Sequence, residues 1–167
     1  MRILGIDPSL YSTGYGMIDT SGRELRLIEG GVLAPGRSAA LPERLAELQR
    51  GLLDVIRSLR PDAMVVEEIF SRPAFPRTAI LMAHARGALV CAAALRGLPV
   101  YDYAATRVKR ALVGRGAASK AQVAAMVVQT LRLRKAPDQT DVTDALALAI
   151  THARRSAPGA VSRGSQR

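Results

Sequence analysis

With one cysteine, Cys91, in 167 residues, the chain can form no intramolecular disulfide and lacks the thiolates of a Cys-based zinc site. No uninterrupted apolar run reaches the roughly 18 residues that a membrane-spanning helix requires. Lysine is scarce, with three against 21 arginines. Acidic residues are nearly missing from the middle of the chain: residues 71–137 carry 12 basic side chains and a single acid, Asp102. The opening MRILGID meets an acid at Asp7, unlike the basic and then apolar start of a secretory leader. The expectation is a cytoplasmic protein without a membrane anchor.

What is present suffices for one domain. Apolar residues make up 49% of the 17.8 kDa chain, at a mean hydropathy of +0.10, enough to bury a core. The formal charge is +10, and its placement is uneven. Residues 1–70 hold 8 bases and 10 acids, residues 138–150 hold three aspartates and no base, and residues 151–167 add four arginines. A middle segment this basic suits a polyanion such as nucleic acid, where each neutralised phosphate adds salt-sensitive affinity. A soluble surface with a compositional preference for arginine is the competing reading.

The apolar pattern predicts a mixed α/β domain. RILGID (2–7) reads as a buried strand closed by Pro8, TGYGMID (13–19) as a second, and ELRLIEGGVL (24–33) as a third, together an antiparallel meander. Leu41, Leu45, Leu48, Leu52, Val55, Ile56 and Leu59 recur at helical spacing until Pro61. AMVVEE (63–68) is a fourth strand, reached by a helical crossover. A long helix is expected from Ala74 to Arg96, rich in small residues, and then a short strand, Val100 to Tyr103. Ser119 caps a helix to about Leu131, and Thr140 or Asp141 opens a last one to about Arg155. The expected domain is residues 1–155, and residues 156–167 read as a disordered basic tail.

Acids stand where apolar residues would be cheaper: Asp7 ending the first strand, Glu67 and Glu68 ending the fourth, Asp141 and Asp144 opening the last helix. In open α/β sheets, sites form beyond the carboxyl ends of the strands. Aspartates three apart share one helix face, so Asp141 and Asp144 can point at that edge together. Such a cluster repels itself unless cations fill it. Oxygen ligands favour Mg²⁺ or Mn²⁺, and two such ions about 4 Å apart assist in-line phosphodiester hydrolysis. Taken singly, Asp7 suits a turn before Pro8, and the aspartate pair suits a helix N-terminus. Neighbours on a strand face opposite ways, so one of Glu67 and Glu68 is a solvated charge, and alternation does not say which.

Four segments, GIDPSLYSTGYG (5–16), VVEEIF (65–70), VKRALVGRGAASKAQV (108–123) and DVTDALALAITH (141–152), together resemble the RuvC family of Holliday-junction resolvases, in order and over about residues 1–155. The resemblance implies an RNase H-like fold with a mixed five-stranded sheet flanked by helices, and a homodimer. It implies metal-dependent symmetric nicking of two opposing strands of a four-way DNA junction in recombination and repair. The implied metal is Mg²⁺, with Mn²⁺ able to substitute and two ions per site. Residue by residue, the family's acidic ligands fall on Asp7, Glu67, Asp141 and Asp144, which selects Glu67 over Glu68. Phe70 matches an aromatic used against junction bases, its other reading being an ordinary core residue. Lys109 and Lys120 match basic positions facing the scissile backbone, and Arg110 and Arg115 in the same segment join them as DNA contacts. The family also works with the RuvA–RuvB branch-migration complex.

The family's glycine after Asp-Pro is Ser9 here; if that position takes a positive φ, serine strains the turn by about 1 kcal/mol. His84 and His152 read as packing or surface residues, Cys91 as a buried small hydrophobe, Asp138 as part of the loop before the last helix. Asp102 either flanks the site or is structural. Two other functions compete: an RNase H-like protein that binds DNA without cutting, and a phosphate-handling ATPase-like domain using DPSLYSTGYG as a cradle. The latter needs a second lobe that this chain lacks.

Overall fold

The structure is a computed structural model and describes residues 1–21, 24–69 and 76–156. The elements run β1 (Arg2–Asp7), β2 (Thr13–Asp19), β3 (Arg26–Leu33), α1 (Leu41–Leu59), β4 (Ala63–Glu67), α2 (Pro76–Ala94), β5 (Val100–Tyr103), α3 (Ala105–Val113), α4 (Lys120–Leu131) and α5 (Thr140–Ser156). They build the five-stranded mixed sheet expected, in the order β3-β2-β1-β4-β5. The meander β1–β2–β3 is antiparallel, and β4 and β5 join parallel to β1. Among the described residues, no helix is long and apolar enough to cross a membrane.

Strand alternation divides the interior into two cores. Leu4, Ile6, Met17, Met64 and Val66 point to one face, where they meet Leu48 and Leu52 of α1 and Leu89 of α2. Ile3, Ile18 and Val65 point to the other, under α5, with α3 and α4 behind it. Helix α5 is buried along most of its circumference, from Val142 to Ala153. It lies so close to β1 and β2 that a Cβ on Gly5 would sit 1.9 Å from the Ala145 carbonyl oxygen, and one on Gly14 2.2 Å from that of Asp141.

The boundaries follow local chemistry. Helix α1 ends before Pro61, with Arg60 turned left-handed at φ 50. Ser119 caps α4 through a reciprocal box: its Oγ accepts from the Gln122 amide, and its own amide donates to the Gln122 side chain. Helix α3 has no counterpart in the sequence reading. It is nine residues long with only Val108 and Leu112 buried, one turn apart and too short a repeat to register, although Gly114 at φ 86 marks its end. Cys91 corrects another expectation, being exposed. It falls on the outer side of α2, while Ala85, Leu89, Ala92 and Ala93 turn inward. The start of the helix expected from Ala74, and the tail from residue 157, lie outside the described residues, as does Phe70.

Candidate active site

Register places the acids. Ile6 lies opposite Val66 in the parallel β1–β4 pair, so Asp7 and Glu67, next along each strand, emerge side by side at the sheet edge. Asp7 is in phase with Ile3 and Gly5, and Glu67 with Val65, all on the α5 side. Glu68 alternates to the opposite side and is exposed. The close seating of α5 on Gly5 and Gly14 then brings its first turns, with Asp141 and Asp144, against the same edge.

Asp7, Glu67 and Asp144 line one cavity of about 320 Å³ together with Lys109, Lys120, Met82 and Val108. Burial, with Glu67, Asp144 and Asp141 nearby, pushes the Asp7 carboxyl up to about 8, against which Lys120 pulls weakly. Burial and then Asp144 raise Glu67 as well, opposed by Lys120, Lys109 and a hydrogen bond with Asp7. Lys120 Nζ donates to Asp144 Oδ2 at 2.8 Å, and that bond chiefly raises the lysine's own pKa. Lys120 thus keeps its charge inside an anionic cluster. Asp141 acts on Asp7 by its charge, but its Oδ2 accepts from Ser12 Oγ at 2.5 Å and it does not line the cavity.

The donor set suits a hard divalent cation: it is all oxygen, and a carboxyl that keeps its proton near neutral pH marks a site where positive charge is favoured. Among the described residues, no three acidic, histidine or cysteine side chains stand close enough together to hold one ion. In this arrangement Asp144 is paired with the Lys120 ammonium and Asp141 with the Ser12 hydroxyl. An ion would therefore displace the Asp7 proton and the Lys120 contact. The residues fit the metal after that exchange of partners.

The predicted basic residues divide. Lys109 and Lys120 line the cavity, whereas Arg110 on α3 and Arg115 in the α3–α4 loop are exposed outside it. Asp102 pairs with Arg86 of α2, whose Nε also donates to the Glu67 carbonyl oxygen at 3.1 Å. Arg86 was missed from sequence, although a lone base inside AHARGAL was its signal. Ser12 had none, because one hydroxyl in a Ser/Thr-rich loop looks like any other. Ser9 does not strain its turn: among described non-glycine residues only Arg60 and Arg132 take a positive φ. Instead Thr13 Oγ1 donates to the Ser9 carbonyl at 2.5 Å and accepts from the Ser9 amide at 3.1 Å. His152 is buried beneath Tyr101 and meets the Tyr103 hydroxyl through Nδ1, a packing role. His84 is exposed, and Asp138 pairs with Lys135 in the loop before α5.

The family model for crossover junction endodeoxyribonuclease RuvC matches residues 3–152. The crossover junction endodeoxyribonuclease RuvC of Thiobacillus denitrificans is 45% identical over 167 residues, spanning 100% of this chain and 96% of that protein. The Thermus thermophilus RuvC structure superimposes with a TM-score of 0.85 at 37% identity, over 93% of this chain and 95% of that one. T. thermophilus RuvC in complex with Holliday junction substrate gives 0.84 at 38% identity, over 92% and 93% of the two chains. The expected RNase H-like resolvase architecture is thus the one this sheet and its helices adopt. A family match over nearly every described residue, and end-to-end similarity to a curated relative, place the chain in the RuvC family of crossover junction endodeoxyribonucleases.

Proposed function

We propose that this protein resolves four-way DNA junctions by nicking two opposing strands, with Asp7, Glu67, Asp141 and Asp144 as the metal ligands. The observation that carries the assignment is the cavity where Asp7, Glu67 and Asp144 face two of the chain's three lysines. The family's chemistry is metal-dependent. Two Mg²⁺ ions, or Mn²⁺ in their place, would be held by these carboxylates and supply Lewis acidity to a water and to the leaving oxygen.

Asp7 and Glu67, fixed by the sheet, form the rigid half of the ligand set; Asp141 and Asp144, on α5, form the half that the helix positions. Lys120, released from Asp144 when the ligands engage, is placed to offset charge growing on the scissile phosphate, and Lys109 supports it from α3. Arg110 and Arg115 hold the backbone outside the cavity, and Phe70, by family resemblance, stacks on junction bases. Two coordinated nicks need two sites. A homodimer through α2 supplies them: Ile80 (57% exposed), Ala83, Gly87, Cys91 and Leu95 form a small-residue apolar stripe facing outward. The RuvA–RuvB complex joins as partner on the resemblance alone.

The test is purified protein on a mobile four-way junction with Mg²⁺, with linear duplex of the same sequence as control. Nicked duplexes from the junction only, abolished by EDTA, are expected. Equal cutting of both substrates, or binding without cutting, would overturn the assignment.

A further inference from the structure

The loop after Asp7 carries an aromatic that the proposed chemistry leaves without a task. Tyr11 is 53% exposed, in a chain with four tyrosines, two phenylalanines and no tryptophan. The residues around it are fixed. Leu10 is buried in the α1–α2 core at 2% exposure, and Ser12 donates to Asp141. The Ser9–Thr13 bonds close the loop, and the Tyr11 amide donates to Ser9 Oγ at 3.2 Å. A large ring is therefore presented to solvent from the loop that joins Asp7 to Ser12, the partner of Asp141, by backbone already held in place.

Beneath the ring lies Arg44 of α1. Its Cζ is 4.3 Å from the Tyr11 ring centroid, and its Nη2 donates to the Leu10 carbonyl at 2.7 Å. Arg44 is only 7% exposed, its Nε has no hydrogen-bond partner, and no ion pair among the described residues includes it. Burying a guanidinium without an acid is costly, and an aliphatic side chain would support a ring at less expense. The cation adds two things an aliphatic would not. It holds one ring face by cation–π attraction, leaving the other free, and it places positive charge under a surface that a phosphate backbone can approach.

We propose that Tyr11 is a nucleotide-stacking contact for the DNA strand entering the active site, with Arg44 as the positioning residue that holds its ring. This rests on the resolvase reading, because the loop runs from Asp7 to the residue that bonds Asp141. The ligand is the base or deoxyribose flanking the scissile phosphate. Stacking of this kind tolerates any base, since every base offers a π-face.

The experiment compares wild type, Tyr11→Ala, Tyr11→Phe and Arg44→Met on a four-way junction with 2-aminopurine next to the cleavage position. Binding is followed in Ca²⁺ by anisotropy and by 2-aminopurine fluorescence, and cleavage in Mg²⁺ by kcat and KM. Tyr11→Ala is expected to weaken junction binding about five-fold or more, to change the 2-aminopurine signal at saturation, and to raise KM more than it lowers kcat. Tyr11→Phe is expected to restore all three, and Arg44→Met to shift the saturated signal in the same direction by less. Tyr11→Ala binding within two-fold of wild type with an unchanged saturated signal would overturn the proposal. Wild-type protein with no preference for the junction over duplex would instead overturn the resolvase reading itself.

Discussion

Toward α1 and α2 the central strands present Leu4, Ile6, Met17, Met64 and Val66, all fully buried; toward α5 the same strands present Gly5, Gly14 and Gly16 and then, at their ends, Asp7 and Glu67. One face is filled by side chains along its length; the other keeps Ile3, Ile18 and Val65 but is cleared at the three glycines, so that a helix backbone can come down onto the sheet there. The first arrangement serves stability. The second exchanges apolar volume for proximity, and what it gains is two aspartates of a helix beside two acids of the sheet. Asp7 carries the consequence in its raised pKa: burial disfavours its charge first, and the nearby Glu67, Asp144 and Asp141 add to that.

Substitutions on the two faces should therefore fail differently. Leu52→Ala, in the filled core, is expected to cost about 2–5 kcal/mol in urea unfolding, with cutting per folded molecule retained. Gly5→Ala, on the emptied face, is expected to cost about 1–3 kcal/mol and also to lower cutting by the molecules that remain folded, since α5 must lift and carry Asp141 and Asp144 with it. Equal loss of specific activity in both variants would erase the contrast. The next effect is electrostatic. In the metal-free protein the Asp7 carboxyl lies near 8 against 3.8 unfolded, so the folded state keeps a proton that the unfolded chain has released. That stability is complete below about pH 4 and is lost as pH rises through about 8, at up to roughly 1.4 kcal/mol per pH unit. Thermal unfolding in EDTA across this window is expected to show the slope, Asp7→Asn to flatten it, and Mg²⁺ to offset it for wild type. The smallest effect concerns the second half of the ligand set. Ser12→Ala removes one hydrogen bond to Asp141, worth about 0.5–1.5 kcal/mol. It is expected to shift the Mg²⁺ concentration for half-maximal cutting by a few-fold, measured by metal titration.

The same contrast explains what was legible in the sequence. The filled face is written in large aliphatics at regular spacing, so α1 and the strands are read within a residue or two of their ends, and Ser119 announces α4 by its cap. The emptied face is written in glycines, which carry no periodicity. Strand alternation could not separate Glu67 from Glu68 until α5 was known to lie over Val65 rather than Val66; before that, only the family resemblance selected Glu67. Helix α2 has small residues all round, so its buried and exposed sides look alike in sequence, and Cys91 was assigned to the wrong one. The Ser12 contact to Asp141, across 129 positions, is made by tertiary approach and leaves no local mark, and the lone base Arg86 stands out in its segment without showing that its partner is the Glu67 carbonyl.

The most direct measurement is Asp7→Asn assayed against wild type on a synthetic four-way junction with Mg²⁺, scoring binding and nicking in the same reactions. A carboxylate cluster that works by gathering cations predicts that nicking disappears while the junction is still bound, at equal or tighter affinity because one negative charge has gone. Nicking at the wild-type rate by Asp7→Asn would contradict it.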